Sequence, residues 1–177
     1  MARLPLADPD ALPPFLRDLH DGAAPSDWST RHTARVFAAH PDLLEQYLRF
    51  YYPWHSNDGV GLLPARLKEL TRLRIATLNG CQTCKAARLE PSVSDADAAG
   101  VDAPEGGFTD QELAAIHLAE AMAVDHFSIN DAWVSALRQH FSTAQILELL
   151  MMIGQYLGLG RLLAILQLED VVCPIDP

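Results

Sequence analysis

ELTRLRIATLNGCQTC, residues 69–84, runs from a helical pattern through a turn into a pair of cysteines. It continues a helical pattern that Pro64 opens, LPARLKELTRLRIATL, in which Leu67, Leu70, Leu73 and Leu78 fall at spacings compatible with one buried face. Asn79-Gly80 then supplies residues that tolerate the left-handed conformation in which helices commonly end. The spacing predicts a second helix from Cys81 up to Pro91, so Cys81 and Cys84 sit at its start.

A CxxC at a helix start has a definite chemistry. Unpaired N–H groups and the positive dipole end favour a thiolate there. One thiolate attacks, and the second thiol resolves the product as a disulfide. Two blander readings stand beside it: cysteine as a small core residue, and half of a zinc site. Zinc needs two more ligands, and the remaining cysteine, Cys173 in VVCPIDP, comes with no second CxxC and no HxxxH pair. Glu69 precedes Cys81 on the neighbouring helix, and a short turn folds the two helices together. Its carboxylate is either a proton acceptor for the thiols or a partner of Arg72 or Arg66 at helical spacing.

Outward from this core the pattern stays helical. Residues 1–26 carry Pro5, Pro9, Pro13, Pro14 and Pro25 and read as an extended arm, ahead of a single domain over 27–177. Ser26 or Asp27 caps a helix to about Ala39, and Pro41 starts another through Leu44, Tyr47 and Leu48. That helix is expected to break at Pro53 in the aromatic loop YYPWHSNDGVG. A short helix and loop follow over 92–107. Thr109 and Glu112 form a capping-box pattern before ELAAIHLAEAMAV, a shorter helix lies around Asp131–Gln139, and Ser142 with Gln145 repeats the box before a long apolar helix. No segment alternates like a strand, so the fold class is all-α.

The composition narrows the function classes. The chain has 177 residues, 49% apolar and 20% charged, with a formal net charge of -10. That charge argues against nucleic acid, whose phosphates need a basic face, and against an anionic membrane surface. Residues 146–168 have the length of a membrane span, and Gly154 and Gly158 a GxxxG spacing, but Glu148, Gln155 and Arg161 interrupt it. A buried helix with small residues for close packing, inside the chain or across a subunit contact, is the expectation. No signal-like run opens the chain, and an odd cysteine count suits a reducing cytoplasm.

ELTRLRIATLNGCQTC resembles the core of the alkyl hydroperoxidase D-like branch of the carboxymuconolactone decarboxylase superfamily. The likeness extends more weakly from about His40 to Glu169 through LPARLKEL, FTDQELAAIHLAEAM and FSTAQILELLMMIGQYLGLGRLLAIL. It implies an oligomeric helical bundle (dimer, trimer or hexamer). It also implies a cofactor-free peroxidase in which Cys81 and Cys84 reduce a hydroperoxide and a thiol-reductant protein restores them. Glu69 matches the proton-relay carboxylate.

Where the family's relay has a histidine after the second cysteine, this chain has Arg88, and Thr83 stands where some members have another. Guanidinium stays protonated and cannot relay a proton. On the expected helix Arg88 would share a face with both thiols. There it would favour thiolate, pair with Glu69 or hold a substrate carboxylate; otherwise it is a surface arginine. His55 either lines a pocket walled by its aromatic neighbours or is a surface loop residue. His117 and His126 read as structural, and His20, His32, His40 and His140 lack context. Two alternatives to the peroxidase follow: a decarboxylase-like lyase or isomerase on a small carboxylated metabolite, and a non-enzymatic redox sensor.

Overall fold

The computed structural model describes residues 2–55, 60–104 and 106–168. Their regular elements are all helices, with no strand among the described residues. They form two compact units, one of the residues up to Tyr52 with those from Arg161 onward, the other of Pro53–Gly160.

In the first unit, α1 (Pro14–Gly22) and α2 (Trp28–Val36) lead to α3 (Pro41–His55), whose last three residues belong to the second unit. The extended arm expected over residues 1–26 is corrected here. Pro14 occupies the first turn of α1, where a missing N–H is harmless. Leu12, Leu16, Ala34, Leu44 and Leu48 then close a small core. The prolines mark a helix start and a turn before it, rather than an arm. Asp27 caps α2 as expected, accepting a hydrogen bond from the Thr30 N–H at 3.0 Å. The break expected at Pro53 also comes later, since α3 continues to His55. A proline in a last turn removes only one ladder bond, so the helix survives two residues beyond it. The His55 side chain, the loop residues 56–59 and Cys173 lie outside the described residues.

The second unit holds α4 (Ala65–Leu78), α5 (Gln82–Ala86), α6 (Asp95–Gly100), α7 (Asp110–Val124), α8 (Asp131–Leu137) and the first part of α9 (Thr143–Leu166). Both expected capping boxes form: Thr109 with Glu112 before α7, and Ser142 with Gln145 before α9. α4 is the central element. Its Leu67 and Ile75 join Leu118, Leu149, Met152 and Ile153 in the larger core, and its Leu70 and Leu73 join Val93, Val101 and Ile116 in a second. Every residue from Leu67 to Ala76 is buried, Lys68, Glu69, Arg72 and Arg74 included.

Such burial of charge is tolerable only with partners. Arg74 meets Glu120 at 3.0 Å, and the Lys68 ammonium donates to the Trp54 carbonyl at 3.3 Å. Burial pushes the Lys68 pKa below its ordinary value, with Glu148 partly opposing. The Glu148 carboxylate on α9 accepts the N–H groups of Leu62 and Leu63 at 2.6 and 3.2 Å, fixing the entry to α4.

α9 is long and apolar enough to cross a membrane, the one such helix among the described residues, with 33% of its apolar window buried. The expected burial is therefore partial. Ile146, Leu149, Met152, Ile153 and Leu157 lie in the core, whereas Leu147, Met151, Gly154 and Gly158 are exposed.

Candidate active site

The turn between α4 and α5 puts the cysteines where they are. The Gly80 N–H donates to the Thr77 carbonyl at 3.0 Å and the Cys81 N–H to the Ala76 carbonyl at 2.9 Å. These two bonds are a Schellman closure of α4, and it requires the left-handed φ of +70° that Gly80 adopts. The Asn79 side chain anchors the turn to α9 by donating to the Tyr156 carbonyl at 3.2 Å. Gly160 makes room for it, because a Cβ there would collide with Asn79 Nδ2.

Cys81 thus ends one helix motif and begins the next. It is the N-cap of α5, and its Sγ accepts the Cys84 N–H at 3.0 Å. The two sulfurs are joined in a disulfide of 2.03 Å with the Cα atoms 5.3 Å apart. Cys81 is 1% exposed, whereas Cys84 is only partly buried.

Behind α5 lies a buried ion pair. Arg72 Nε donates to Glu69 Oε2 and Arg72 Nη2 to Glu69 Oε1, both at 2.8 Å, with side chains 5% and 2% exposed. The rest of the guanidinium reaches the next helix, where Nη1 donates to the Cys84 carbonyl at 2.6 Å and Nη2 to the Ala87 carbonyl at 2.9 Å. Glu69 Oε1 also accepts the Leu89 N–H at 3.0 Å. Glu69 is therefore paired with Arg72, one of the two partners its helical spacing offered, but as a buried fork rather than a solvated contact. Arg72 thereby does more than pair with Glu69, since it ties α4 to the main chain beside Cys84. Its i+3 position after Glu69 was the available signal for the pair.

The same bonds explain why α5 stops at Ala86 instead of running to Pro91. Continuation would need the Arg88 N–H on the Cys84 carbonyl and the Leu89 N–H on the Lys85 carbonyl. Arg72 holds the Cys84 carbonyl, the Arg88 guanidinium holds that of Lys85 at 2.5 Å, and Glu69 takes the Leu89 N–H. Three of the four groups the helix would need, the Cys84 and Lys85 carbonyls and the Leu89 N–H, are engaged by other partners.

The described helices and their order can be set against known proteins. The crystal structure of an alkylhydroperoxidase AhpD core, a peroxidase-related protein from Ralstonia eutropha, matches with a TM-score of 0.72 and 18% identity over 95% of this chain and 91% of that one. The chain has the AhpD core fold. No family model matches it, and no curated protein matches it by sequence.

Within this AhpD core fold, Arg88 departs from its expected place. Because α5 ends early, Arg88 lies beyond the cap and no longer shares a helix face with the thiols. Its guanidinium bonds the Lys85 and Ala87 carbonyls and pairs with Asp95 at 3.0 Å. The structure pairs Glu69 with Arg72 instead.

The histidines read as structural also differ. His117 is exposed beside a groove of ≈ 370 Å³ that Trp133 and His140 share, and His126 is exposed against the Phe127 ring. No group of three or more His, Cys, Asp or Glu gathers as a metal site among the described residues.

Proposed function

We propose that the protein is a thiol-disulfide oxidoreductase of peroxidase type, in which Cys84 and Cys81 reduce a hydroperoxide. The observation that carries this reading is the Cys81–Cys84 disulfide at the head of α5, in a chain with the AhpD core fold. Cys84, the less buried of the two cysteines, is the attacking thiolate. Its attack on the peroxide breaks the O–O bond, oxidises the sulfur to a sulfenic acid and releases an alkoxide that takes a proton. The Cys81 thiol then condenses with the sulfenic acid, forming the disulfide and releasing water. A thiol reductant, in a reducing cytoplasm a small thiol or a partner protein, returns two electrons and two protons.

The Cys84 N–H bonded to Cys81 Sγ suits the resolving step, since it favours negative charge on that sulfur. Glu69 is the proton acceptor in this reading, through the lone pair that Oε2 retains beside its bond from Arg72. Arg72 is a positioning residue that holds the Cys84 and Ala87 carbonyls. Arg88, engaged with Asp95, is given no step.

A homo-oligomer belongs to the same proposal. Leu147, Met151, Gly154 and Gly158 make one exposed stripe along α9, and Cβ atoms added at the two glycines would meet nothing within 4 Å. A second copy packing on this stripe would cover it.

The test is hydroperoxide consumption with a thiol reductant, in wild type and in Cys84→Ser and Cys81→Ser. Cys84→Ser is expected to abolish turnover, and Cys81→Ser to stop after one round with a trappable sulfenic acid. Turnover retained by both variants would refute the reading. Reversible disulfide formation without peroxide turnover would favour a redox sensor instead.

A further inference from the structure

The first unit holds a second chemical feature, in a part of the chain where the sequence offered none. Trp28, Arg31, His32 and Arg35 recur on α2 at i, i+3, i+4 and i+7, which places them on one helix face. The opposite face is the packed one, with Ser29, Thr33 and Val36 buried. The face with the aromatic and the cations borders a cavity of ≈ 300 Å³, closed by His20 of α1 and by Pro9 and Pro25.

The charges in this cavity are what set it apart. The protein is acidic overall, with a net charge of -10. Yet among the described residues neither Arg31 nor Arg35 makes an ion pair. Arg31 donates Nη1 to the His20 carbonyl at 3.2 Å, and Arg35 donates Nε to the Ala7 carbonyl at 2.7 Å. Each guanidinium is thereby oriented through one nitrogen and keeps other N–H donors for a ligand. His20 is 4% exposed, and its Nδ1 bonds the Asp21 carboxylate at 2.8 Å, leaving Nε2 as its remaining polar ring atom. The Trp28 indole, 46% exposed and edge-on to His32 at 5.0 Å, supplies a flat apolar wall.

Two unneutralised guanidiniums beside an indole recognise an oxyanion carried on a flat body. The volume lies at the small end of ligand pockets, which suits a single ring with one acidic group. We propose that this cavity between α1 and α2 binds a small aromatic oxyanion, its carboxylate or phosphate held by Arg31 and Arg35 and its ring against Trp28. The site is separate from the cysteine reading and does not depend on it.

The full chain is titrated with phenyl phosphate, benzoate, inorganic phosphate and the neutral benzyl alcohol, following Trp28 and arginine side-chain N–H signals by NMR. One or both aromatic anions should shift the Trp28, Arg31 and Arg35 signals saturably, with inorganic phosphate about tenfold weaker and benzyl alcohol silent. Arg31→Gln and Arg35→Gln should each weaken binding about tenfold or more. Because both also remove bonds to backbone, Trp28→Leu at an exposed position is the second variant. It should weaken the aromatic anion several-fold, by about the worth of a stacked ring, and leave inorganic phosphate unchanged. The proposal is overturned if neither aromatic anion shifts these signals. Equal binding of benzyl alcohol or of inorganic phosphate overturns it too, since the first needs no arginine and the second no ring.

Discussion

Replacing Arg72 by Met should be among the most damaging single changes in the second unit. The pair it makes with Glu69 is buried on both sides, at 5% and 2% exposure. Removing one partner of a buried pair leaves an uncompensated charge and costs about 3–5 kcal/mol. The Cys84 and Ala87 carbonyls also lose a charged donor, each worth about 1–3 kcal/mol in isolation. These losses overlap and do not add, so the expected total is about 4 kcal/mol or somewhat more. That is a large part of the roughly 5–15 kcal/mol a domain has. The assay is equilibrium urea unfolding of the oxidised protein, with hydrogen exchange at the Leu89 amide as a local readout. Glu69→Leu combined with Arg72→Met should be less destabilised than Arg72→Met alone, because no buried charge is stranded. A cost under about 1 kcal/mol, the worth of an exposed surface pair, would refute the clamp. So would a double variant no more stable than the single one.

Gly160→Ala is expected to destabilise by about 1–3 kcal/mol, since the new methyl displaces the Asn79 side chain from its bond to Tyr156. Thermal unfolding of this variant, of Asn79→Ala and of the pair checks the clash: Gly160→Ala should cost little once Asn79 is shortened to Ala. Acid should unfold the protein partly through Asp97, whose carboxyl is held far below the usual range by its hydrogen bond from Arg66, helped by Ser94. A depressed carboxyl contributes stability that is present above its unfolded value, near pH 4, and drains away as pH falls below it. Asp97→Asn should therefore show a shallower loss of stability below about pH 4 in urea titrations, and identical slopes would contradict the assignment. Finally, Arg88→Ala should leave the pH profile of Cys84 alkylation in the reduced protein unchanged. A shifted profile would restore the electrostatic role that the pairing with Asp95 argues against.

What the sequence disclosed was mostly local. Asp27 at the head of α2 and the Thr109–Glu112 and Ser142–Gln145 boxes are written within a few residues, and each formed as read. The Asn79-Gly80 turn and the CxxC were legible for the same reason. The length of α5 was not, because its missing ladder bonds go to Arg72 and Glu69 on another helix. The misplacement of Arg88 follows directly from that. The reading of residues 1–26 failed differently. Five prolines suggested extension, while Leu12 and Leu16 already carried the apolar pair that packs α1. The arginine face of α2 is not legible in the sequence, because its meaning depends on a cavity that α1 and α2 create together.

The Arg72 fork has one further consequence. Its reach across to α5 ends on carbonyl oxygens of the main chain, which every residue possesses. The clamp therefore reads the path of the backbone and is indifferent to the letters at Thr83, Lys85 or Ala86. A site secured in this way can change most of its spelling without changing its shape. Its geometry rests on a handful of fixed points, here Glu69, Arg72, Asn79, Gly80, Gly160 and the two cysteines, and the side chains between them carry little of it.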